Sequence, residues 1–195
     1  HAHLGVLVRY ADDFVVMCDT KAAGEQAEQR VRATLARLGL ELHPEKTRRV
    51  DLSRGAAGFD FLGCHVRKRM SGRIWERQHQ RVYYLQRWPS QRAMHRIRQR
   101  VKALTPRAAC HRDLRDTIAQ LNPVLRGWGA YFRTGNAAIK FGQVDDYVNW
   151  RLKRLLVQRH GRQRRPGHSA LWTGDFFHAL GLHRLRGTIR YPEAA

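Results

Sequence analysis

The first third of the chain alternates short apolar runs with polar breaks. Leu4 to Tyr10 and Phe14 to Cys18 are β-rich runs separated by Ala11-Asp12-Asp13, which predicts a β-hairpin. Ala27, Val31, Leu35 and Leu38 then recur at helical spacing, behind Asp19 or Thr20 as a cap and ahead of Gly39 as a stop. After Pro44, Thr47 to Leu52 and Phe59 to Val66 read as strands, and Gly72 turns the chain into a further strand over Arg73 to Gln78. This first part is an α+β unit of antiparallel strands with one helix.

From Ser90 the period becomes helical. Ala93, Ile97, Val101 and Leu104 fall on one face, with Arg92, Arg96, Arg98, Arg100 and Lys102 spread over the rest. A second helix is expected from about His111 through Leu114, Ile118 and Leu121, and Asn122-Pro123 then offers a cap and a first-turn proline for a third, Pro123 to Phe132. Asn136 caps a last long helix carrying Val144, Val148, Leu152 and Leu155 and closed by Gly161. Arg162 to Gly167 reads as a cationic loop, and Leu171 to Leu185 adds a short helix. The second part is therefore an all-α bundle, with no internal repeat.

Charge sharpens this division. The 195 residues include 37 Lys+Arg and 16 Asp+Glu, a formal net charge of +21. Residues 1–63 hold nine bases and nine acids, so the whole excess follows them; between Arg67 and Arg107 Glu76 is the only acid among thirteen bases. Such a field attracts polyanions, and nucleic acid is the expected partner. No apolar run approaches the roughly 18 residues that span a bilayer, and His1 to Val8 lacks the order of a signal peptide. Cys18, Cys64 and Cys110 form no CxxC pair, and Cys64-His65 and Cys110-His111 have no second pair at finger spacing, so neither a disulfide scaffold nor a zinc site is expected. A reducing cytoplasm fits this cysteine usage. The chain opens at His1 with Leu4 to Val8 already strand-like, so it is expected to be part of a longer protein.

The candidate chemistry concentrates at Tyr10-Ala11-Asp12-Asp13. Neighbouring strand residues face opposite sides, and an unpaired buried carboxylate is costly, so two adjacent acids at a hairpin tip do not both enter a core. They suit Mg²⁺, which takes carboxylate and phosphate oxygens; two such ions stabilise the attacking and leaving oxygens of a phosphoryl transfer. A plain turn using Asp for local hydrogen bonds fits the same residues.

Motif order adds what four residues alone do not. The Tyr10 box is followed by the helix, then by Leu38 to Thr47 with Pro44-Glu45-Lys46, then by Phe59-Asp60-Phe61-Leu62-Gly63. That series resembles the later palm motifs of reverse transcriptases. Leu121 to Asn136, with Gly127-Trp128-Gly129-Ala130-Tyr131-Phe132, continues to Trp150 to Leu155 and resembles the maturase-specific domain of group II intron-encoded proteins. Over about residues 4–165 the chain thus resembles a group II intron reverse transcriptase/maturase.

The resemblance implies a partial reverse-transcriptase palm over residues 1–80, an all-α basic thumb and maturase domain over 81–165, and a C-terminal extension over 166–195. It makes Asp12 and Asp13 ligands of a two-Mg²⁺ catalytic site, with Asp12 the chief ligand and Tyr10 beside the primer end. It places Lys46 near the triphosphate of the incoming dNTP, where a cation offsets charge or protonates the leaving group, and it makes Phe61, Leu62 and Gly63 a primer grip. Lys46 also reads as a solvated edge residue, and Phe59, Phe61 and Leu62 also read as core. The family needs a third carboxylate from an earlier palm strand, and fingers, which these residues do not supply. The parent protein is therefore expected to polymerise and the 195 residues alone are not.

The implied partners are structured intron RNA, an RNA template with a DNA primer, and dNTP, with no membrane; a homodimer is compatible. Trp88, Trp128, Tyr131, Phe132, Tyr147 and Trp150 serve either as bundle core or as stacking surfaces for unpaired bases. Core is favoured for Trp128, Phe132 and Tyr147. That leaves Arg92, Arg96, Arg100, Arg126, Arg133, Lys140, Arg151 and Arg154 as the RNA-binding set. Two other readings fit the chain: a truncated, non-catalytic maturase that binds RNA without synthesis, and a CRISPR-associated reverse transcriptase with the same thumb.

Overall fold

A computed structural model of the chain describes residues 4–53, 55–161 and 170–191. The fold is α+β, and it divides into two compact units, His1–Asp51 and Leu52–Ala195.

The first unit holds the expected hairpin. Strand β1 (Val6–Tyr10) pairs antiparallel with β2 (Asp13–Met17). Of the two candidate caps, Thr20 caps helix α1 (Lys21–Ala36), its hydroxyl accepting from the Ala23 N–H at 3.1 Å. Thr47 to Leu52 is not a strand. Arg49 in that segment is drawn to α1 instead, meeting Glu25 at 2.9 Å and Glu28 at 3.2 Å. Among the described residues of this unit only Ala27 is buried, and Val6, Leu7 and Val8 are exposed.

The second unit opens with an antiparallel sheet in the order β3 (Gly58–Phe61), β4 (Cys64–Met70), β5 (Tyr83–Pro89). Phe59 to Val66 is thus two strands rather than one, because Phe61 faces Cys64 across a two-residue turn, Leu62-Gly63. The expected strand over 73 to 78 is a helix, α2 (Gly72–Gln78), because the Ser71 hydroxyl caps it and His79 closes it at φ 52°. Strand β5 answers to no expectation.

The bundle follows. Ser90 caps α3 (Gln91–Leu104) as expected, and Ala93, Ile97 and Val101 are buried. A 3₁₀ turn (Arg107–His111) precedes α4 (Leu114–Phe132), which Asp113 caps. The two helices expected on either side of Asn122 are one. Pro123 sits inside α4 at an exposed position, and the only carbonyl it frees, that of Ala119, is at an exposed position too, so water can serve it. Asn122 does not cap; its side chain donates to the Gly181 carbonyl and accepts from the His183 N–H. Helix α5 (Ala138–His160) begins behind Ala137, not Asn136, whose side-chain oxygen accepts from the Arg87 N–H at 3.4 Å instead.

Helix α6 (Gly174–Ala179) is the short helix expected after Leu171, whereas the cationic loop expected at 162–167 lies outside the described residues. One core joins these helices: Ile97 and Val101 of α3, Leu121 and Leu125 of α4, Phe141, Val144, Val148 and Leu152 of α5, and Phe177 and Leu185 beyond them. Among the described residues no helix is long and apolar enough to cross a membrane.

Candidate nucleic-acid interface

Tyr10 pairs directly with Asp13, which leaves Ala11 and Asp12 as a two-residue loop. Ala11 has φ 53° and Asp12 does not share the positive φ, the pattern of a type II′ turn, where glycine is usual at the first position. An alanine there costs about 1 kcal/mol. The turn is closed from outside by Arg9, whose Nε donates to the Ala11 carbonyl at 2.8 Å. Tyr10, Asp12 and Asp13 are all exposed, and among the described residues neither acid is held in an ion pair. Two adjacent, solvated oxygen donors fit part of a Mg²⁺ sphere. Among the described residues no cluster of three or more metal-binding side chains forms. Lys46 belongs to the same unit; it lies exposed in the turn after Pro44, its N–H donating to the His43 carbonyl at 3.2 Å.

Phe61, Leu62 and Gly63 form the β3–β4 turn. Leu62 and Gly63 both have positive φ, 48° and 75°, as a type I′ turn requires. The bundle holds this turn by both carbonyls: the Tyr131 hydroxyl donates to Leu62 at 2.8 Å, and the Ser90 N–H donates to Gly63 at 2.9 Å. On the adjoining strands, His65 Nδ1 meets the Asp60 carboxylate at 2.6 Å, the Trp88 ring lies 5.2 Å from that of His65, and the Arg69 guanidinium sits 5.8 Å over Trp88. Burial pushes the Cys64 thiol pKa up; the Arg87 charge opposes this and Asp60 adds to it.

The cationic set is distributed over the bundle. Arg92, Arg96 and Arg100 are exposed along α3. Arg154 is exposed on α5, 5.5 Å over the ring of Trp150, which is itself 50% exposed. Tyr147 lies 5.7 Å from Trp150, and Arg98 sits 5.9 Å over Tyr147. These residues set rings and guanidinium groups side by side across α3 and α5, and the exposed Trp150 ring is a surface on which an unpaired base can stack. Arg151 differs. Its guanidinium donates to the Thr105 hydroxyl at 2.9 Å and to the Thr105 carbonyl, so it is committed to the C-terminal end of α3. Lys140 is half-buried, and Arg126 and Arg133 are exposed on α4.

Of the aromatics weighed as core, Phe132 is buried, Trp128 packs on Phe132 and Phe141 at 4.8 and 5.5 Å, and Tyr147 is half-buried. Arg98 escaped the sequence-level set because its partner is 49 residues away on another helix. His183 and Arg190, which line a groove with Arg126 and Arg133, escaped it too, and their scattered spacing carries no signal.

The chain matches two family models. The first, reverse transcriptase (RNA-dependent DNA polymerase), matches residues 3–66, taking in the hairpin, α1 and the β3–β4 turn. The second, the group II intron maturase-specific domain, matches residues 94–172, from α3 past the end of α5. No curated protein matches the chain in sequence. A reverse-transcriptase match is followed, after residues 67–93, by a match to the maturase-specific domain, an arrangement consistent with a fragment of a group II intron reverse transcriptase/maturase.

Proposed function

We propose that this chain is the part of an RNA-directed DNA polymerase that carries the metal-binding hairpin and grips RNA, and that it acts as an intron maturase in the cytoplasm. The observation that carries this reading is the run of Arg98, Tyr147, Trp150 and Arg154 ending on the exposed Trp150 ring, set on a bundle whose other exposed arginines include Arg92, Arg96 and Arg100. Its occupants are structured intron RNA and the RNA template with its DNA primer.

In the polymerase, Asp12 and Asp13 would hold Mg²⁺, which when bound would offset charge on the dNTP phosphate attacked by the primer hydroxyl and on the pyrophosphate released. Tyr10 borders the primer end, and Lys46 faces the triphosphate of the dNTP. Phe61, Leu62 and Gly63 hold the primer through backbone that Tyr131 and Ser90 keep in place. Residues 1–80 act as palm, 81–165 as thumb and maturase domain, and 166–195 as an extension of it. Because the pair Asp12 and Asp13 is two of the carboxylates the reaction needs, residues 1–195 by themselves bind RNA without extending a primer.

A salt-dependent binding titration in Mg²⁺, with the intron RNA and an unrelated RNA of equal length, tests the reading. The intron RNA is expected to bind more tightly, since phosphate contacts alone do not discriminate. Equal affinities with equal salt slopes would reduce the bundle to a generic basic surface, and primer extension by these residues alone would overturn the division of labour.

A further inference from the structure

The chain from Gly181 to Tyr191 follows the matched maturase residues and is firmly tied to the bundle. Asn122 of α4 donates to the Gly181 carbonyl at 2.9 Å and accepts from the His183 N–H at 2.8 Å. Asp145 of α5, only 8% exposed, accepts from the Leu185 N–H at 3.0 Å and the Arg186 N–H at 2.8 Å. The Arg190 N–H donates to the Arg133 carbonyl at 2.9 Å, where α4 ends. Leu185 is fully buried, so close to Gly129 that a Cβ there would lie 2.6 Å from its Cδ2.

These anchors lay the segment along α4 and leave a groove of about 390 Å³ between the two. Arg126 of α4 and Arg133 at its C-terminal end line it on one side, His183 and Arg190 line it from the segment, and Gly129 and Ala130 also border it. No acid lines it, and both oxygens of the nearby Asp145 are taken by backbone donors. Three arginines bordering one opening, with no acid among the lining residues, favour an anion there. Guanidinium forks match phosphate oxygens.

We propose that this groove binds the sugar-phosphate backbone of RNA, seating a phosphodiester with its ribose. The proposal rests on the RNA-binding reading above and adds a site whose second wall, His183 to Arg190, lies beyond the matched maturase residues. Contacts to the sugar-phosphate backbone carry no sequence information, so the groove is expected to contribute equally to intron and unrelated RNA.

The test uses the full chain and a structured RNA at several salt concentrations, comparing wild type with Arg126→Gln, Arg190→Gln, the double variant, and Arg107→Gln, which removes the same charge outside the groove. Each groove variant is expected to lower the log–log salt slope by at most roughly 0.7–0.9, the value of the one shared phosphate contact, and to bind several-fold more weakly than Arg107→Gln. The double variant is expected to lose less than the product of the two, because both arginines serve one phosphate. If wild type binds RNA and the groove variants match Arg107→Gln, the site is overturned and the RNA-binding reading survives. If wild type binds no RNA, both fall. A groove for free phosphate would leave RNA affinities unchanged while inorganic phosphate shifted the His183 imidazole signals in NMR, and that result would also overturn the proposal.

Discussion

Among the described residues three other than glycine hold positive φ, and two of them sit at turns the reverse-transcriptase match covers. Ala11 takes φ 53° beside Asp12, and Leu62 takes φ 48° before Gly63. Each costs about 1 kcal/mol that glycine or asparagine would not, so each is held by its surroundings. Arg9 bonds the Ala11 carbonyl, and Tyr131 bonds that of Leu62. The fold also biases the charge state of His183. Burial lowers its pKa, Arg126 and His178 push the same way, and Asp145 opposes them. A histidine with a lowered native pKa binds fewer protons folded than unfolded. Its contribution to stability is therefore complete above the unfolded value of about 6.5 and is lost as pH falls through the lowered native one. Denaturation midpoints measured from pH 7.5 to 5 should fall less steeply for His183→Gln than for wild type; parallel curves would mean the ring is not held neutral.

At the scale of elements, the joints between sheet and bundle explain glycines in the motif Gly127 to Asn136. Gly135 has no room for a Cβ, which would meet the Arg87 carbonyl oxygen at 2.7 Å and its Cγ at 3.2 Å, while the Asn136 N–H donates to that same carbonyl at 2.7 Å. At Gly129 the obstacle is the end of the Leu185 side chain, and alanine also favours the helix by about 0.5–1 kcal/mol. Gly135→Ala should therefore lower stability by about 1–3 kcal/mol and Gly129→Ala by less, read from urea midpoints; the reverse order would place the tighter joint at the C-terminal segment.

The same contrast explains what was legible in the sequence. Helices α3 and α5 were, because Ile97, Val101, Val144 and Val148 keep the helical period and Ser90 caps where serine should. The Tyr10 box was, because the turn lies between two apolar runs in contact. Pro123 misled because the local rule for proline cannot see that the freed carbonyl is solvated. Leu62 hid a turn inside an apolar run. The groove of Arg126 and Arg190 was invisible because Asn122 reaches 59 and 61 residues ahead to fix its far wall.

Over the whole molecule, charge and core are partitioned alike. Residues 1–51 carry equal numbers of acids and bases and bury only Ala27 among those described, while the excess of +21 lies on residues that also build the large apolar core. That core must hold against repulsion among its own arginines, because few acids are near enough to pair with them. All the ion pairs found among the described residues lie at Glu25, Glu28 and Asp60, outside the helices of the bundle. Added salt screens the repulsion within about 10 Å at 0.1 M and so favours the folded bundle. The same salt reduces the gain from counterion release when RNA binds. Raising salt from 0.05 to 0.5 M should thus raise the Tm of the free protein while weakening its RNA affinity by orders of magnitude. Calorimetry and a binding titration over one salt series check the opposite signs. A Tm that falls with salt would mean that the arginines are already neutralised within the fold, and a basic surface kept open for a polyanion would no longer account for the charge.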